Sequence, residues 1–338
     1  MRIRRMARFK TCLVAGGIIL GICATLGALG TVPGSQASPH SVNSGRSFNP
    51  LQVALLHWYS ANRTTTYAVG NGADGAAFDG ANIWVPNYND GTVTKLRTSD
   101  GTVLGTFNAG SSPADVAYDG ANIWVPNSTS SGTVAKLQAS NGSTLGSFSV
   151  GSKPQRVAFD GMNIWVTLLS DNAVAEVRAS DGALLGTFSV GTNPVGVACD
   201  GANIWVANQG SNNVTKLRAS DGAILGTFKA GTKAFDIAFD GTDIWVTNQG
   251  SNNVTKLRRS DGKVLGTFSV GKNPGGIAFD GVNVWVGNSG SGSVTKLRAS
   301  DGKVLGTFGV GTNPIHGVAF DGANIWVANS GSNSVSKL

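Results

Sequence analysis

VGVACDGANIWVANQGSNNVTKLRASDGAILGTFKAG, residues 195–231, holds the plan of most of the chain in one unit. VGVAC is a short apolar run. Asp200-Gly201 follows, a dipeptide suited to the positive φ angles of a tight hairpin turn. NIWVAN (203–208) is rich in β-formers, and QGSNN (209–213) is a polar loop. VTKLRAS (214–220) alternates apolar and polar residues, which predicts a half-exposed strand. Asp221-Gly222 marks a second hairpin, and AILGTFKAG (223–231) a fourth strand. The unit is therefore four antiparallel strands, here a, b, c and d in chain order.

Outward from this unit the pattern repeats. DG-x-N/D-I/V-W-V occurs seven times, with tryptophans at 84, 124, 165, 205, 245, 285 and 326, spaced 40 or 41 residues apart. A period near 40 with two turn signals per repeat is that of a β-propeller blade. The chain ends at VSKL338, in strand c of the last repeat, which lacks its own d strand. TTTYAVG (64–70) precedes the first repeat and aligns with the d-strand ends, Tyr67 standing for the phenylalanines at 107, 148, 188, 228, 268 and 308. The expected fold is all-β, a seven-bladed propeller of four-stranded antiparallel blades over 64–338, with the N-terminal strand completing the last blade and removing its open edge. Its core is expected between blades: a Trp from b, a Phe or Tyr from d, and from a the residues Phe78, Tyr118, Phe159, Cys199, Phe239, Phe279 and Phe320.

Composition agrees with many tight turns. Glycine numbers 48 of 338 residues, charged residues are 13%, and there are 8 Trp and 14 Phe. The net charge of +7 is misleading, because Arg2, Arg4, Arg5, Arg8 and Lys10 crowd the first ten residues. The other 21 basic residues face 19 acidic ones, which gives no footprint for nucleic acid. Cys12 and Cys23 lie in the N-terminal apolar run. Cys199 is alone in the body, so no internal disulfide staples it.

The basic start, the uncharged stretch 12–32 and the small residues Ser35 and Ala37 read as a secretory signal over 1–37, cut after Ala37. The alternative is an uncleaved anchor, since the run has about the ~20 residues that span a bilayer. Either places the body outside the cytoplasm: periplasm, extracellular space or cell surface. Residues 38–63 read as a linker followed by a short helix, NPLQVALLHWYSAN, with Asn49 as N-cap and Pro50 at its first position.

At the blade motifs, above all VAFDGANIWVANSGSN (318–333), the chain resembles the YVTN-type bacterial β-propeller repeats, close to the NHL-type repeats, over roughly 64–338. The resemblance implies a propeller and export, and no single activity. Streptogramin lyases are similar in blade pattern, and they use a histidine pair, a glutamate and a magnesium ion. That set does not carry over: the body has one glutamate, Glu176, in strand c, and one propeller histidine, His316. Gluconolactonase-like propellers are more loosely similar and hold a metal at the axis, where this chain has no glutamate.

No catalytic residue or metal ligand is assigned. The aspartates at 79, 119, 160, 200, 240, 280 and 321 recur in every blade and read as turn residues. The asparagines at 87, 127, 208, 248, 288 and 329 read as satisfying loop backbone. Positions that break the symmetry say more. Just before strand a the blades carry Gly75, Asp115, Arg156, Gly196, Asp236, Gly276 and Gly317, with Asp74, Lys153, Lys233, Phe235 and His316 nearby. Asp74, Asp115, Arg156, Asp236 and His316 are the candidate ligand-binding residues, expected to ring the channel mouth. Tyr88, Leu168 and Leu169 add apolar spots to that rim. Asp115 and Arg156, in adjacent blades, are expected to form an exposed pair of roughly 0–1 kcal/mol. The function expected is that of an exported, monomeric, non-enzymatic binding or scaffold protein with a protein or glycan partner. It touches a membrane only through an uncleaved anchor. The alternative is a hydrolase or lyase using a divalent metal ion at the channel mouth.

Overall fold

The computed structural model describes residues 64–338. The signal, linker and short-helix expectations for 1–63 lie outside the described residues. The rest is seven four-stranded antiparallel sheets. Blade 4 is typical, with strands Pro194–Cys199, Asn203–Asn208, Asn213–Arg218 and Ile224–Lys229. Blade 7 takes Val318–Phe320, Ile325–Asn329 and Ser334–Lys337 from the C-terminus and Thr65–Ala68 from the other end of the ring. Tyr67 pairs with Val335 as Phe107 pairs with Val93, so the register of the seam is that of every other blade.

The core lies between blades, and the seven apolar clusters are the seven interfaces. One joins Trp84 and Val93 of blade 1 to Ile123 and Leu137 of blade 2. Another joins Trp326 and Val335 of blade 7 to Ile83 and Leu96 of blade 1. Six of the seven repeat tryptophans are fully buried and Trp285 is 8% exposed, each stabilising by about 2–3 kcal/mol. Each ring packs on the Phe or Tyr of its own outer strand, with centroids 5.4–5.9 Å apart. Cys199 is half-buried and packs at the 3/4 interface.

Strand c differs from its expectation. Its alternation predicts one wet face, yet its middle four residues are buried in almost every blade. The cause is that each face meets a neighbouring blade: Val93 packs in the 1/2 interface and Leu96 in the 7/1 interface, and blade 3, with Glu176 at the centre, is as buried. Lys95, Lys136, Lys216, Lys256, Lys296 and Lys337 lie 4.7–5.3 Å over the tryptophan ring of their own blade. Five of them also reach a backbone carbonyl of the next blade at 2.7–2.8 Å, Lys337 closing the ring on Thr98. The stem is dry and the ammonium is held. Strand a is only two residues long in blades 1 and 2, Ala77–Phe78 and Ala117–Tyr118. There strand b carries Pro86 or Pro126, which has no N–H to offer strand a.

Candidate functional site

Strand a lines the axis, and of the seven positions expected just before it, those of blades 3 to 6 lie inside it, as the third residue (Arg156, Gly196, Asp236, Gly276), where the pairing with strand b is irregular. The ring is tight enough that four of these seven positions are glycine. A Cβ on Gly196 would sit 2.6 Å from Asp236 Cα, and one on Gly75 would sit 2.5 Å from Asp115 Oδ1. The glycines leave room for the charged side chains of neighbouring blades. Blade 7 has one extra residue, which pushes the Ile315 carbonyl out to accept the Gly276 amide at 2.8 Å and turns His316 inward. Gly275 and Gly276 of blade 6 are where that loop rests, and a side chain at either would collide with it.

The five candidate residues come together here, inside the channel rather than on an exposed rim. Asp74 and His316, of blades 1 and 7, meet through Oδ1 and Nδ1. The imidazole stacks on Phe235 of blade 5, centroids 5.1 Å apart. Arg156 of blade 3 places Nη1 3.4 Å from Asp115 Oδ1 of blade 2 and donates to the Ala114 carbonyl at 3.2 Å. The Arg156 side chain is 5% exposed and that of Asp115 14%. The exposed pair expected from sequence is thus a buried one, because neighbouring blades close around it. Two donors of Arg156, Nε and Nη2, are buried without an acceptor among the described residues. Asp236 of blade 5 accepts the Ile237 amide at 2.9 Å and has no ion-pair partner among the described residues.

Burial governs the titration of this cluster. It pushes the Asp115 carboxyl up to about 6, against the pull of Arg156 and the amides of Val157 and Val116. It raises Asp236 too, opposed by Arg156, the Ile237 amide and His316. Burial lowers His316, with Asp74 pulling the other way. Burial also works against the Arg156 charge, but Asp115, Asp236 and Asp74 more than offset it and move its pKa up. Carboxylates of blades 1, 2 and 5 act on one guanidinium of blade 3, which sets that guanidinium near the axis. Among the described residues no three His, Cys, Asp or Glu side chains converge in a way that could hold a metal ion.

Around the channel, the d–a and b–c loops form the same end of the ring. Of the apolar spots expected there, Tyr88 is 37% exposed, whereas Leu168 is 1% exposed and packs in the 2/3 core. Lys153 and Lys233 are exposed, each with a left-handed backbone at φ 51° and 55°, where blades 4, 6 and 7 have asparagine. Polar clefts recur between consecutive blades. One of about 630 Å³ is lined by Tyr88, Asn89, Asp90, Thr92, Asn108 and Ser111. A second of about 420 Å³ lies between blades 3 and 4, with Asn172, Thr192, Ser211 and Asn213 on its walls.

No protein-family model and no curated protein sequence matches the chain. Solved structures do. The Kuenenia stuttgartiensis hydrazine synthase superposes with a TM-score of 0.71 at 20% identity, covering 79% of this chain and 95% of that one. A streptogramin B lyase structure superposes with a TM-score of 0.66 at 15% identity, covering 81% and 96%. At these identities the likeness is one of fold, a β-propeller.

Proposed function

We propose that the protein is an exported, non-enzymatic propeller of the YVTN/NHL kind that binds a protein or glycan partner on its loop-bearing end. The observation that carries this reading is the recurring cleft between consecutive blades, walled by Asn, Ser and Thr and, between blades 1 and 2, overhung by Tyr88. Amide and hydroxyl groups beside an exposed aromatic ring suit a hydroxyl-rich or peptide surface. Export rests on residues 1–37, and the domain boundaries on the change from that apolar leader through 38–63 to the first repeat. The hydrolase or lyase reading has less support, because Asp115 and Asp74 are occupied with Arg156 and His316.

A glycan array and a surface-protein pull-down tests it. Tyr88→Ala is expected to weaken the captured partner about tenfold, a loss of ~1.4 kcal/mol, with unchanged melting. Binding that ignores Tyr88→Ala removes the cleft from the reading. Turnover of a substrate that requires an added divalent ion would replace the reading with the enzymatic one.

A further inference from the structure

The channel cluster has two needs that it does not meet by itself. The first is the open fork of Arg156, whose Nε and Nη2 are buried and unpaired while Nη1 alone holds Asp115 and the Ala114 carbonyl. A buried guanidinium donor without an acceptor is expensive, more than a neutral one. Nε–H and the Nη2–H beside it point the same way, the geometry that grips a carboxylate or carbonyl oxygen. The second need is charge. Asp74, Asp115 and Asp236 outnumber the one fixed cation, and burial works to keep His316 neutral. Among the described residues Asp236 accepts only backbone amides.

A simple anion would satisfy the fork but meet three carboxylates, and a simple cation would satisfy Asp236 but meet the guanidinium. One kind of small molecule answers both. The lumen is open to it: Asp115 keeps 14%, His316 18% and Asp74 10% of their side-chain surface accessible. Phe235 gives the wall one apolar patch, already stacked on His316.

We propose that the channel binds a small molecule with a protonated primary amine next to a carbonyl or carboxylate oxygen, the oxygen on Arg156 Nε and Nη2 and the ammonium against Asp236. Such a group occurs in a free amino acid and at the amino end of a peptide. The site is separate from the clefts around Tyr88, so either reading can fail without the other.

Calorimetry and thermal shift on the full chain near neutral pH, with glycine, glycinamide and N-acetylglycine as probes, decides it. Glycine, glycinamide or both are expected to bind one to one and raise the melting point, and N-acetylglycine, which lacks the ammonium, to do neither. Stronger glycine binding identifies a free amino acid as the source, and stronger glycinamide binding a peptide end. Arg156→Gln and Asp236→Asn are each expected to weaken binding by at least about tenfold. If Arg156→Gln fails to fold, Asp236→Asn carries the test alone. No binding of glycine or glycinamide up to about 10 mM overturns the proposal. So does N-acetylglycine binding as well as glycine, or glycine binding that Asp236→Asn leaves unchanged.

Discussion

Asp321 shows how much one repeated residue carries. Its Oδ1 accepts the amides of Ala323 and Asn324 at 2.9 and 2.6 Å, and its Oδ2 accepts Trp326 Nε1 at 2.7 Å. The other six Asp-Gly turns bond their tryptophan the same way, at 2.7–2.8 Å. The turn residue is thus also the acceptor that lets an indole be buried. Asp321→Ala strands those donors and is expected to cost about 2–3 kcal/mol in urea denaturation, with Asp321→Asn losing less because it keeps one oxygen. The turn role is legible in the dipeptide. The indole bond is legible only by asking what accepts a buried N–H five residues on. At the channel, Asp236 makes a prediction in pH. Its folded pKa lies above the ordinary 3.8, so the stability it contributes is complete below that value and is lost as pH rises through the folded pKa. Asp236→Asn cannot acquire the buried charge. Relative to the parent it is expected to gain stability as pH rises above about 4, read from urea midpoints at each pH. A parallel pair of pH profiles would show that Asp236 titrates normally.

Among the elements, strand c is where sequence and structure part. The strand count, the turns and the inter-blade aromatic core are all legible, because period, Asp-Gly spacing and β-propensity point the same way. Strand c reads as half-wet because lysine is scored as a solvent residue, although its stem lies on tryptophan and its head on a carbonyl of the next blade. Blade 3 breaks that rule. Glu176 stands in the lysine's place and takes the Asn163 amide at 2.6 Å. The 3/4 interface so lacks the clamp found at 1/2, 2/3, 4/5, 5/6 and 7/1. Burial raises the Glu176 pKa, the Asn163 bond opposes this, and Asp160 adds to it. Its contribution is therefore present below about 4.5 and lost as pH rises. Glu176→Lys puts an ammonium over Trp165, within reach of the blade 4 turn, and is expected to stabilise by about 1–2 kcal/mol at neutral pH. The gain should shrink in acid, where Glu176 is protonated. A melting point that falls on substitution would mean that Asn163 and Asp160 have shaped the interface around the carboxyl. The outer strands carry a different device. In blades 1 to 6 strand d holds one extra residue against strand c, Leu104 in blade 1, between Gly105 paired to Lys95 and Val103 paired to Leu96. The bulge turns both Val103 and Leu104 outward, at 47% and 42% exposure, and bends an edge that would otherwise invite pairing.

For the whole molecule, closure decides what the local rules leave open. The channel cluster was legible as a set of odd residues at one repeat position, but not as a buried one. Depth depends on the radius of the closed ring, and Gly75, Gly196, Gly276 and Gly317 let the backbones of neighbouring blades approach closely around the axis. No single repeat contains that information. The ring in turn depends on its seam. Thr65–Ala68 pairs with Ser334–Lys337 over four rungs, and Tyr67 stacks on Trp326 with centroids 5.7 Å apart. Lys337 then reaches Thr98 of blade 1 at 2.7 Å. Deleting 64–69 leaves Trp326 uncovered and strand c of blade 7 as an open edge. Four rungs at about 1 kcal/mol each, with ~2 kcal/mol for Tyr67, give an expected loss of roughly 5–6 kcal/mol. Blade 7 would also fray apart from the rest, so a single melting transition is expected to become two. Appending RRSDGKVLGTFSVG after Leu338 in the deleted chain supplies the c–d turn and a strand d from the other terminus, with the sequence of blade 5 at 258–271. That addition is expected to restore most of the loss and the single transition, because the seam needs the strand and not its origin. Deletion without loss would mean that the ring holds without its seam. Deletion with loss that the appended strand fails to repair would assign the N-terminal segment a role other than closure.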